Sequence, residues 1–129
     1  MKNLNSFITE KFLINKNTKI YNYQPKTKNE LKGFVNKLII KHGNNANLND
    51  IDTSKITDMS ELFYQSSFNG YISDWDVSNV KDMSYMFARS EFTGENGDIS
   101  KWNVRNVEKM ENIFKNSPLE KNPPKWYKK

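Results

Sequence analysis

Two pairs of aspartates are the residues whose types and spacing could do chemistry. Asp50 stands two residues before Asp52, and Asp74 stands two residues before Asp76. In an extended chain, side chains two residues apart face the same side, so each pair could meet a cation or supply the carboxylates of a glycosidase. The EF-hand pattern, a spaced series of oxygens that ends in a bidentate Glu, is absent from the sequence. We therefore interpret both pairs as solvated carboxylates that hydrogen-bond to nearby turns.

The other chemically reactive residue types are scarce. The sequence has no cysteine, and its one histidine, His42, stands beside Gly43, where it is expected to lie in the last turn of a helix. A thiolate nucleophile, a disulfide, a Cys-based zinc site and a two-histidine metal site are therefore excluded. The five glycines do not form a phosphate-binding loop. The sequence predicts a protein that is not an enzyme and that has no cofactor and no metal site.

Charge is distributed unevenly along the 129 residues. Residues 1–45 hold nine Lys and two Glu, residues 46–100 hold three basic and ten acidic residues, and residues 101–129 hold eight basic and three acidic residues. The acidic middle part would suit a partner protein with a basic surface. Only two of the twenty basic residues are Arg, the residue best suited to bidentate contacts with phosphate and guanine. Nucleic-acid binding through the basic ends is therefore the alternative to protein binding.

The N-terminal third contains the clearest helix signal. Thr27 and Glu30 have the Thr-x-x-Glu spacing of a capping box. An amphipathic stripe follows, with apolar residues at Leu31, Phe34, Val35, Leu38 and Ile39. The pattern predicts a helix over about residues 28–42 that covers one end of the fold.

Weaker signals precede this helix. A short helix is predicted from four apolar residues, Leu4, Phe7, Ile8 and Phe12, and alternation over residues 19–23 predicts a strand. No apolar run in the first twenty residues is long enough for a secretory signal or a transmembrane span. We therefore expect a cytoplasmic protein that does not enter the membrane.

The rest of the chain repeats itself. The residues Ile51, Trp75, Trp102 and Trp126 are equivalent, with spacings of 24, 27 and 24 residues. A three-residue insertion, which turns FNGYISDW into FTGENGDISKW, explains the longer spacing. Repeats of this length are typical of solenoids, whose units bury their apolar faces only against one another. We divide the chain into a capping region (1–47), three repeats with a C-terminal lid (48–126) and a tail (127–129).

Each unit has two parts with different periodicity. DIDT, DWDV or KWNV alternates at the period of a strand, and DMSELF, DMSYMF or KMENIF then carries apolar residues at the i, i+3, i+4 spacing of a short helix. Asp58 and Asp82 stand where a carboxylate would cap that helix. The predicted fold class is an α/β repeat, a short leucine-rich-repeat-like solenoid of strand-turn-helix units with an N-terminal helical cap. The recurring Trp and Met residues are predicted to pack between units.

Residues 68–87, FNGYISDWDVSNVKDMSYMF, resemble the repeat of the BspA-like leucine-rich-repeat family, which includes the mycoplasma lipoprotein-associated repeat proteins. The family pattern is approximately F-N-G-D-I-S-x-W-D-V-S-N-V-T-D-M-x-x-M-F, and Tyr71 and Lys81 depart from it. The third unit departs further, at Asn103, Arg105, Glu108 and Lys109. The resemblance covers residues 48–126 and implies a solenoid that binds proteins.

Many members of that family are surface proteins or adhesins. Because this sequence has neither an export signal nor a long array, it looks more like a small protein from a phage or another mobile element. Our leading hypothesis is a non-enzymatic protein-interaction module that inhibits a host protein of the nuclease-type defence class by occlusion, and hence an anti-CRISPR candidate. The alternatives are nucleic-acid binding through the basic N- and C-terminal regions and a fragment of a bacterial surface adhesin.

Positions that differ between the units are candidates for partner binding, because a repeat array keeps its core and varies its surface. Tyr85 and Arg89 stand four residues apart on a predicted helix, and both residue types are enriched in binding hot spots. The candidate partner-binding residues are Tyr64, Asp74, Asp76, Asp82, Tyr85, Arg89 and Glu95. The sequence does not predict the oligomeric state.

Overall fold

The computed structural model describes residues 19–128, and the one α-helix in that range, α1, spans Lys28–His42 as predicted. Thr27 caps its N-terminus, because the Thr27 Oγ1 atom accepts a hydrogen bond from the Glu30 N–H at 3.1 Å. The Glu30 carboxylate accepts from the Lys26 N–H at 2.7 Å, which completes a variant of the capping box. Gly43 ends the helix with a φ of 90° and donates its N–H to the Ile39 carbonyl at 2.7 Å.

The predicted α/β repeat class is wrong. Over residues 19–128 the structure has no β-sheet, and the only other regular element is a short 3₁₀ helix at Pro118–Glu120. Four isolated parallel bridges are present, joining Tyr23 to Ile51, Asn47 to Tyr71, Asp58 to Asp82, and Asp82 to Lys109. The strand predicted at residues 19–23 is reduced to the first of these bridges. The helix predicted around Leu4, Phe7, Ile8 and Phe12 lies outside the described residues.

Short turns interrupt the pieces that were predicted as strands. The Asp52 carboxylate accepts from the Ser54 N–H at 3.0 Å, and the Asp76 carboxylate accepts from the Ser78 N–H at 2.9 Å. Bonds of this kind mimic a backbone turn and compete with strand pairing. The chain therefore changes direction just after each extended piece, before a second bridge can form.

Left-handed residues interrupt the pieces that were predicted as helices. Six of these residues have φ between 54° and 59°, and they are Glu61, Gln65, Tyr85, Arg89, Asn112 and Asn116. An α-helix requires a negative φ at every residue, so one left-handed residue every four positions prevents it. Consecutive turns form instead, such as the one closed by the Leu62 N–H and the Met59 carbonyl at 3.2 Å. A positive φ at the third residue, here Glu61, is typical of a type II turn.

The three turn-forming pieces stack in register. We call residues 58–66, 82–90 and 109–117 turn layers 1, 2 and 3, and all three together the turn ladder. Layer 1 donates hydrogen bonds of 2.8–3.0 Å from the N–H groups of Met59, Glu61, Phe63 and Gln65 to the carbonyls of Asp82, Ser84, Met86 and Ala88. Layer 2 donates from the four equivalent N–H groups to the carbonyls of Lys109, Glu111, Ile113 and Lys115 at 2.8–3.0 Å. All eight bonds point from one layer to the next, so the turn ladder has a direction.

Aromatic rings form two columns through the interior. Phe63, Phe87 and Phe114 stack with centroids 5.6 Å and 5.8 Å apart. The other column consists of Trp75, Trp102 and Trp126, with centroids 6.4 Å apart at each step. Trp75 and Trp102 are 3% and 5% exposed, so the predicted packing role of these tryptophans is confirmed. Met59 and Met83 are buried beside them, while Met110 in layer 3 is only partly buried.

The tryptophan side chains also carry hydrogen bonds between units. The indole N–H groups of Trp75, Trp102 and Trp126 donate to the carbonyls of Leu48, Ile72 and Ile99 at 2.8 Å, 3.1 Å and 2.8 Å. Each of these carbonyls also accepts a backbone N–H three residues later in the chain, at 3.1–3.2 Å, so the indole is its second donor and ties one unit to the next. Trp126 occupies the rung that a further unit would occupy, and it ends the tryptophan column.

Candidate partner-binding surface

Tyr85 and Arg89 are both exposed, but they do not lie on a helix. They hold equivalent positions in the two turns of layer 2, with φ of 57° and 54°. Their N–H groups donate into layer 3, to the carbonyls of Glu111 and Lys115, at 3.0 Å and 2.8 Å. The helical geometry that the sequence predicted for this pair is therefore wrong. The rigid hydrogen-bonded layer fixes both backbones and leaves both side chains on the surface.

The left-handed backbone makes these two residue types unexpected. A left-handed conformation costs an ordinary residue about 1–2 kcal/mol, and Asn, whose short polar side chain can bond locally, adopts it most readily after Gly. Layer 3 follows this rule with Asn112 and Asn116, whereas layer 1 has Glu61 and Gln65 and layer 2 has Tyr85 and Arg89 at the same positions. Strain held at exposed side chains favours a function for those side chains.

Tyr64 lies on layer 1 and is 38% exposed, the same fraction as Tyr85. The Tyr85 hydroxyl accepts a hydrogen bond from the Asn112 side-chain amide at 2.9 Å, which orients the ring without burying it. Large aromatic side chains with few rotatable bonds make good binding anchors, because little conformational entropy is lost when they are fixed. We call Tyr64, Tyr85 and Arg89 the tyrosine face.

Asp74 and Asp76 belong to a second group, at the side of the fold where Tyr21 lies. The Lys19 ammonium lies 3.9 Å from the Asp74 carboxylate and 4.9 Å from the centre of the Tyr21 ring. Burial raises the pKa of the Tyr21 hydroxyl, and the negative charges of Asp52, Asp76 and Asp74 raise it further. The carboxylates therefore create a local negative potential around Tyr21. We call Asp52, Asp74 and Asp76 the acidic face.

Three of the predicted acidic residues take part in internal hydrogen bonds. Asp76 accepts from both the N–H and the hydroxyl of Ser78, at 2.9 Å and 2.6 Å. Asp82 accepts from the Ser84 N–H at 2.9 Å. Glu95, in the insertion, accepts from the Asn69 side-chain amide at 2.9 Å. Their charges still contribute to the surface potential, but one oxygen of each carboxylate is already used by the fold.

The structure thus separates the seven predicted residues rather than bringing them together. Over residues 19–128, no hydrogen bond or ion pair joins the tyrosine face to the acidic face. Asp82 lies in the bridge column between layers, and Glu95 lies in the insertion that follows layer 2. A partner that used all seven would have to cover more than one side of the molecule.

Two lysines that sequence reasoning did not single out close the first end of the turn ladder. The Lys28 ammonium donates to the Ser60 carbonyl at 3.2 Å, and the Lys32 ammonium donates to the Leu62 carbonyl at 2.5 Å. In layers 2 and 3 the carbonyls at these positions accept from the preceding layer, so α1 replaces a missing layer. The i, i+4 spacing of Lys28 and Lys32 on α1 was the signal for this role.

These contacts change the proton affinities of two groups. Burial lowers the pKa of the Lys32 ammonium, and the neighbouring Lys28 charge lowers it further. Burial opposes ionisation of Asp58, but hydrogen bonds from Ser60 and the Lys28 ammonium at 3.8 Å outweigh it, so the pKa of Asp58 is lowered. Both shifts arise from closing the end of the turn ladder, and neither marks a reactive group.

Within the described part of the chain, no three His, Asp or Glu side chains cluster closely enough to hold a metal ion. In each aspartate pair the second residue hydrogen-bonds to a turn, as predicted: Asp52 accepts from Ser54 and Asp76 from Ser78. The first residue does not, because Asp50 accepts from the distant Asn22 side chain and Asp74 lies beside the Lys19 ammonium. Between residues 19 and 128, neither α1 nor the 3₁₀ helix is long and apolar enough to cross a membrane.

A family model described as "Mycoplasma protein of unknown function, DUF285" matches residues 29–128, which is most of the chain and includes the turn ladder and all of α1 except its first residue. No curated protein and no solved structure matches the chain.

Proposed function

The chain belongs to this family of Mycoplasma proteins of unknown function, and we propose that it is a non-enzymatic protein-binding module that acts through the tyrosine face. The observation that carries the proposal is the left-handed backbone of Tyr85 and Arg89. Asn at these two positions would lower the conformational strain, so the choice of Tyr and Arg favours a role for the side chains. Tyr and Arg are the residue types most enriched at the centres of protein interfaces.

The turn ladder supports this role by holding the side chains in place. A binding group on a backbone fixed by hydrogen bonds on both sides loses little entropy when a partner arrives. The neighbouring layers pair the backbone around Tyr85 on both sides: Glu61 and Phe63 donate to the carbonyls of Ser84 and Met86, and Tyr85 donates to Glu111. The tyrosine face is therefore preorganised in the free protein.

The acidic face gives the proposal an electrostatic component. Residues 46–100 hold ten acidic and three basic residues, so their field would steer a partner with a basic surface. A basic surface that ordinarily holds nucleic acid would be blocked by such a module. On this basis we propose an inhibitor of a nuclease-type host protein, cytoplasmic and encoded by a phage or another mobile element.

Affinity capture tests the binding role. The full chain, the variant Tyr85→Asn/Arg89→Asn and the control Lys37→Ala are used to capture proteins from a lysate of the organism that produces the chain, with detection by mass spectrometry. Asn suits a left-handed backbone, so the double variant keeps its fold and changes only the side chains. We expect a protein that the wild type and Lys37→Ala retain and the double variant loses. Equal retention by all three, or no retained protein, would contradict the proposal.

The electrostatic component has its own test. Asp74→Asn and Asp76→Asn remove charge, and Asn at position 76 can still accept the hydrogen bond from Ser78. Association with the captured partner should slow by about tenfold in the double variant and should slow similarly for the wild type in high salt. If neither the double variant nor high salt changed the association rate, the acidic face would have no part in binding.

One observation favours a second candidate function, nucleic-acid binding. All seven basic residues between positions 101 and 128 are exposed, whereas Lys28 and Lys32 are engaged by layer 1. A gel shift with duplex DNA across a salt series tests this candidate, because phosphate contacts make log affinity fall linearly with log salt. No shift at low salt would remove it.

A further inference from the structure

At layer 3, where the turn ladder ends, several backbone N–H groups have no acceptor among the described residues. Tyr85 and Arg89 in layer 2 donate to layer 3, but the equivalent N–H groups of Asn112 and Asn116 have no acceptor among residues 19–128. The Phe114 N–H, which lies between them, also has no acceptor among these residues. The edge of the Tyr127 ring packs against the Phe114 ring, with centroids 5.3 Å apart. Asn112 and Asn116 are both exposed. We call this row of donors the layer 3 edge.

The two ends of the turn ladder are chemically opposite. Layer 1 ends in carbonyls, and two lysines of α1 satisfy two of them. Layer 3 ends in N–H groups, which form the positive end of aligned peptide dipoles. The C-terminal lid closes the tryptophan column through Trp126, but it supplies no acceptor to the layer 3 edge. Two of the four layer 1 carbonyls, those of Ser60 and Leu62, thus have side-chain donors, whereas the row of layer 3 N–H groups has no acceptor in the described chain.

The direction of the ladder excludes a second copy of the same edge. Two layer 3 edges placed face to face would present N–H groups to N–H groups. Two of the complementary layer 1 carbonyls, those of Ser60 and Leu62, are already bound by Lys28 and Lys32 of α1. A second copy therefore cannot offer its full row of layer 1 carbonyls, and a different protein is the better source of acceptors.

The charge and the shape of the surface around the layer 3 edge indicate what kind of segment would bind there. Residues 101–128 hold seven exposed basic and three acidic residues, so an acidic segment is favoured. A cavity of about 120 Å³ opens at the edge and is lined by Asn112, Phe114, Lys115, Glu120 and Tyr127. Inside the ladder, the acceptors are carbonyls of alternate residues, which an extended strand also presents on one side.

We propose that the layer 3 edge docks an extended acidic segment of a partner protein, whose alternate carbonyls accept from the Asn112 and Asn116 N–H groups. This inference rests on the proposed protein-binding function and adds a second contact surface to it. Lys115 would pair with a carboxylate of the segment, and Tyr127 would flank it.

Amide exchange measured by NMR on the full chain tests the first half of this proposal. Tyr85 and Arg89 are matched controls, because their N–H groups hold the equivalent positions with acceptors in place. We expect the Asn112 and Asn116 amides to exchange at least about tenfold faster than those of Tyr85 and Arg89 in the free protein. Equal protection would mean that another part of the same chain already fills the edge, and the proposal would fall.

Titration tests the second half, with a short peptide of alternating Glu and Val as the probe. We expect it to shift the Asn112 and Asn116 amide resonances and slow their exchange, while a Lys/Val peptide does neither. Lys115→Glu should weaken the effect by about threefold or more, and the distant control Lys55→Glu should not. Unchanged resonances, or protection by a thymidine oligonucleotide alone, would overturn the proposal. Neither outcome alters capture through Tyr85 and Arg89, so the two proposals fail separately.

Discussion

The Tyr85 hydroxyl accepts a hydrogen bond from the Asn112 side chain at 2.9 Å, and the two residues hold the same position in consecutive turn layers. Both backbones are left-handed, with φ of 57° and 55°. Asn adopts this conformation more readily than Tyr, so the same backbone position holds a favourable residue in layer 3 and a strained residue in layer 2. The strained residue in layer 2 is the one that we propose to bind a partner.

Replacement of the strained residues should stabilise the protein. Tyr85→Asn and Arg89→Asn each relieve the left-handed strain, and the gain should be about 0.5–1 kcal/mol per site after the lost surface contacts are counted. Thermal unfolding should show a Tm about 2–4 °C higher for each variant. Asn112→Tyr and Asn116→Arg are the reverse controls and should lower the Tm. A lower Tm for both Asn variants would contradict the strain argument.

The same residues explain why the fold was only partly predictable. α1 followed from the capping box and the apolar stripe, because both signals are local. Glu61, Gln65, Tyr85 and Arg89 give no local indication of a left-handed backbone, and the apolar spacing around them is that of a helix. The layers above and below impose the turns, so tertiary hydrogen bonds override the local pattern. Asn112 and Asn116, four residues apart, were the one hint.

The surface of the protein was also only partly predictable from the sequence. The repeat period identified the buried columns, and unit-to-unit variation pointed to the exposed Tyr85 and Arg89. The sequence predicted that α1 covers one end of the fold. The open carbonyls and N–H groups at the two ends were not predicted, because they are backbone features that appear only when the layers are stacked. The roles of Lys28 and Lys32 therefore had to come from the structure.

Two glycine substitutions should have opposite effects on stability. A Cβ atom on Gly70 would lie 2.1 Å from the Ala46 carbonyl oxygen, whereas a Cβ on Gly33 of α1 would meet nothing within 4 Å. Gly70→Ala should cost about 3 kcal/mol by forcing backbone apart, and Gly33→Ala should gain about 0.5–1 kcal/mol of helix stability. Urea unfolding of both variants measures the difference. Similar midpoints would show that the close approach at Gly70 is not required.

Replacing a tryptophan of the column should destabilise the protein more in the middle of the column than at its end. Trp102→Phe keeps a ring but removes the 3.1 Å bond to the Ile72 carbonyl, which retains only the Trp75 N–H, and leaves a cavity in the core; together these should cost about 2–3 kcal/mol. Trp126→Phe removes the same bond at the partly buried last rung, so water can replace the donor and the cost should be about 1 kcal/mol. Chemical denaturation compares the two. Equal losses would argue against a closed column that ends at Trp126.

Asp58 should make stability depend on pH in the acid range. Its pKa is lowered from the ordinary value of 3.8 in the folded protein, so ionised Asp58 stabilises the fold above that value. This contribution is lost as the pH falls through the folded pKa. Asp58→Asn should therefore lower the urea midpoint at about pH 6, and the difference from wild type should shrink at about pH 2–3. A constant difference across this range would exclude an ionic role for Asp58 beside Lys28.

The central claim is that Tyr85 and Arg89 serve binding at the expense of stability. The most direct test is a calorimetric titration of the captured partner with wild-type protein and with Tyr85→Asn/Arg89→Asn, with the Tm of each protein measured in the same buffer. We expect the double variant to bind at least about a hundredfold more weakly, as for loss of a hot-spot pair, while its Tm is equal to or higher than that of the wild type. Unchanged affinity with a raised Tm would contradict the claim, because the strain would then serve no partner at this surface.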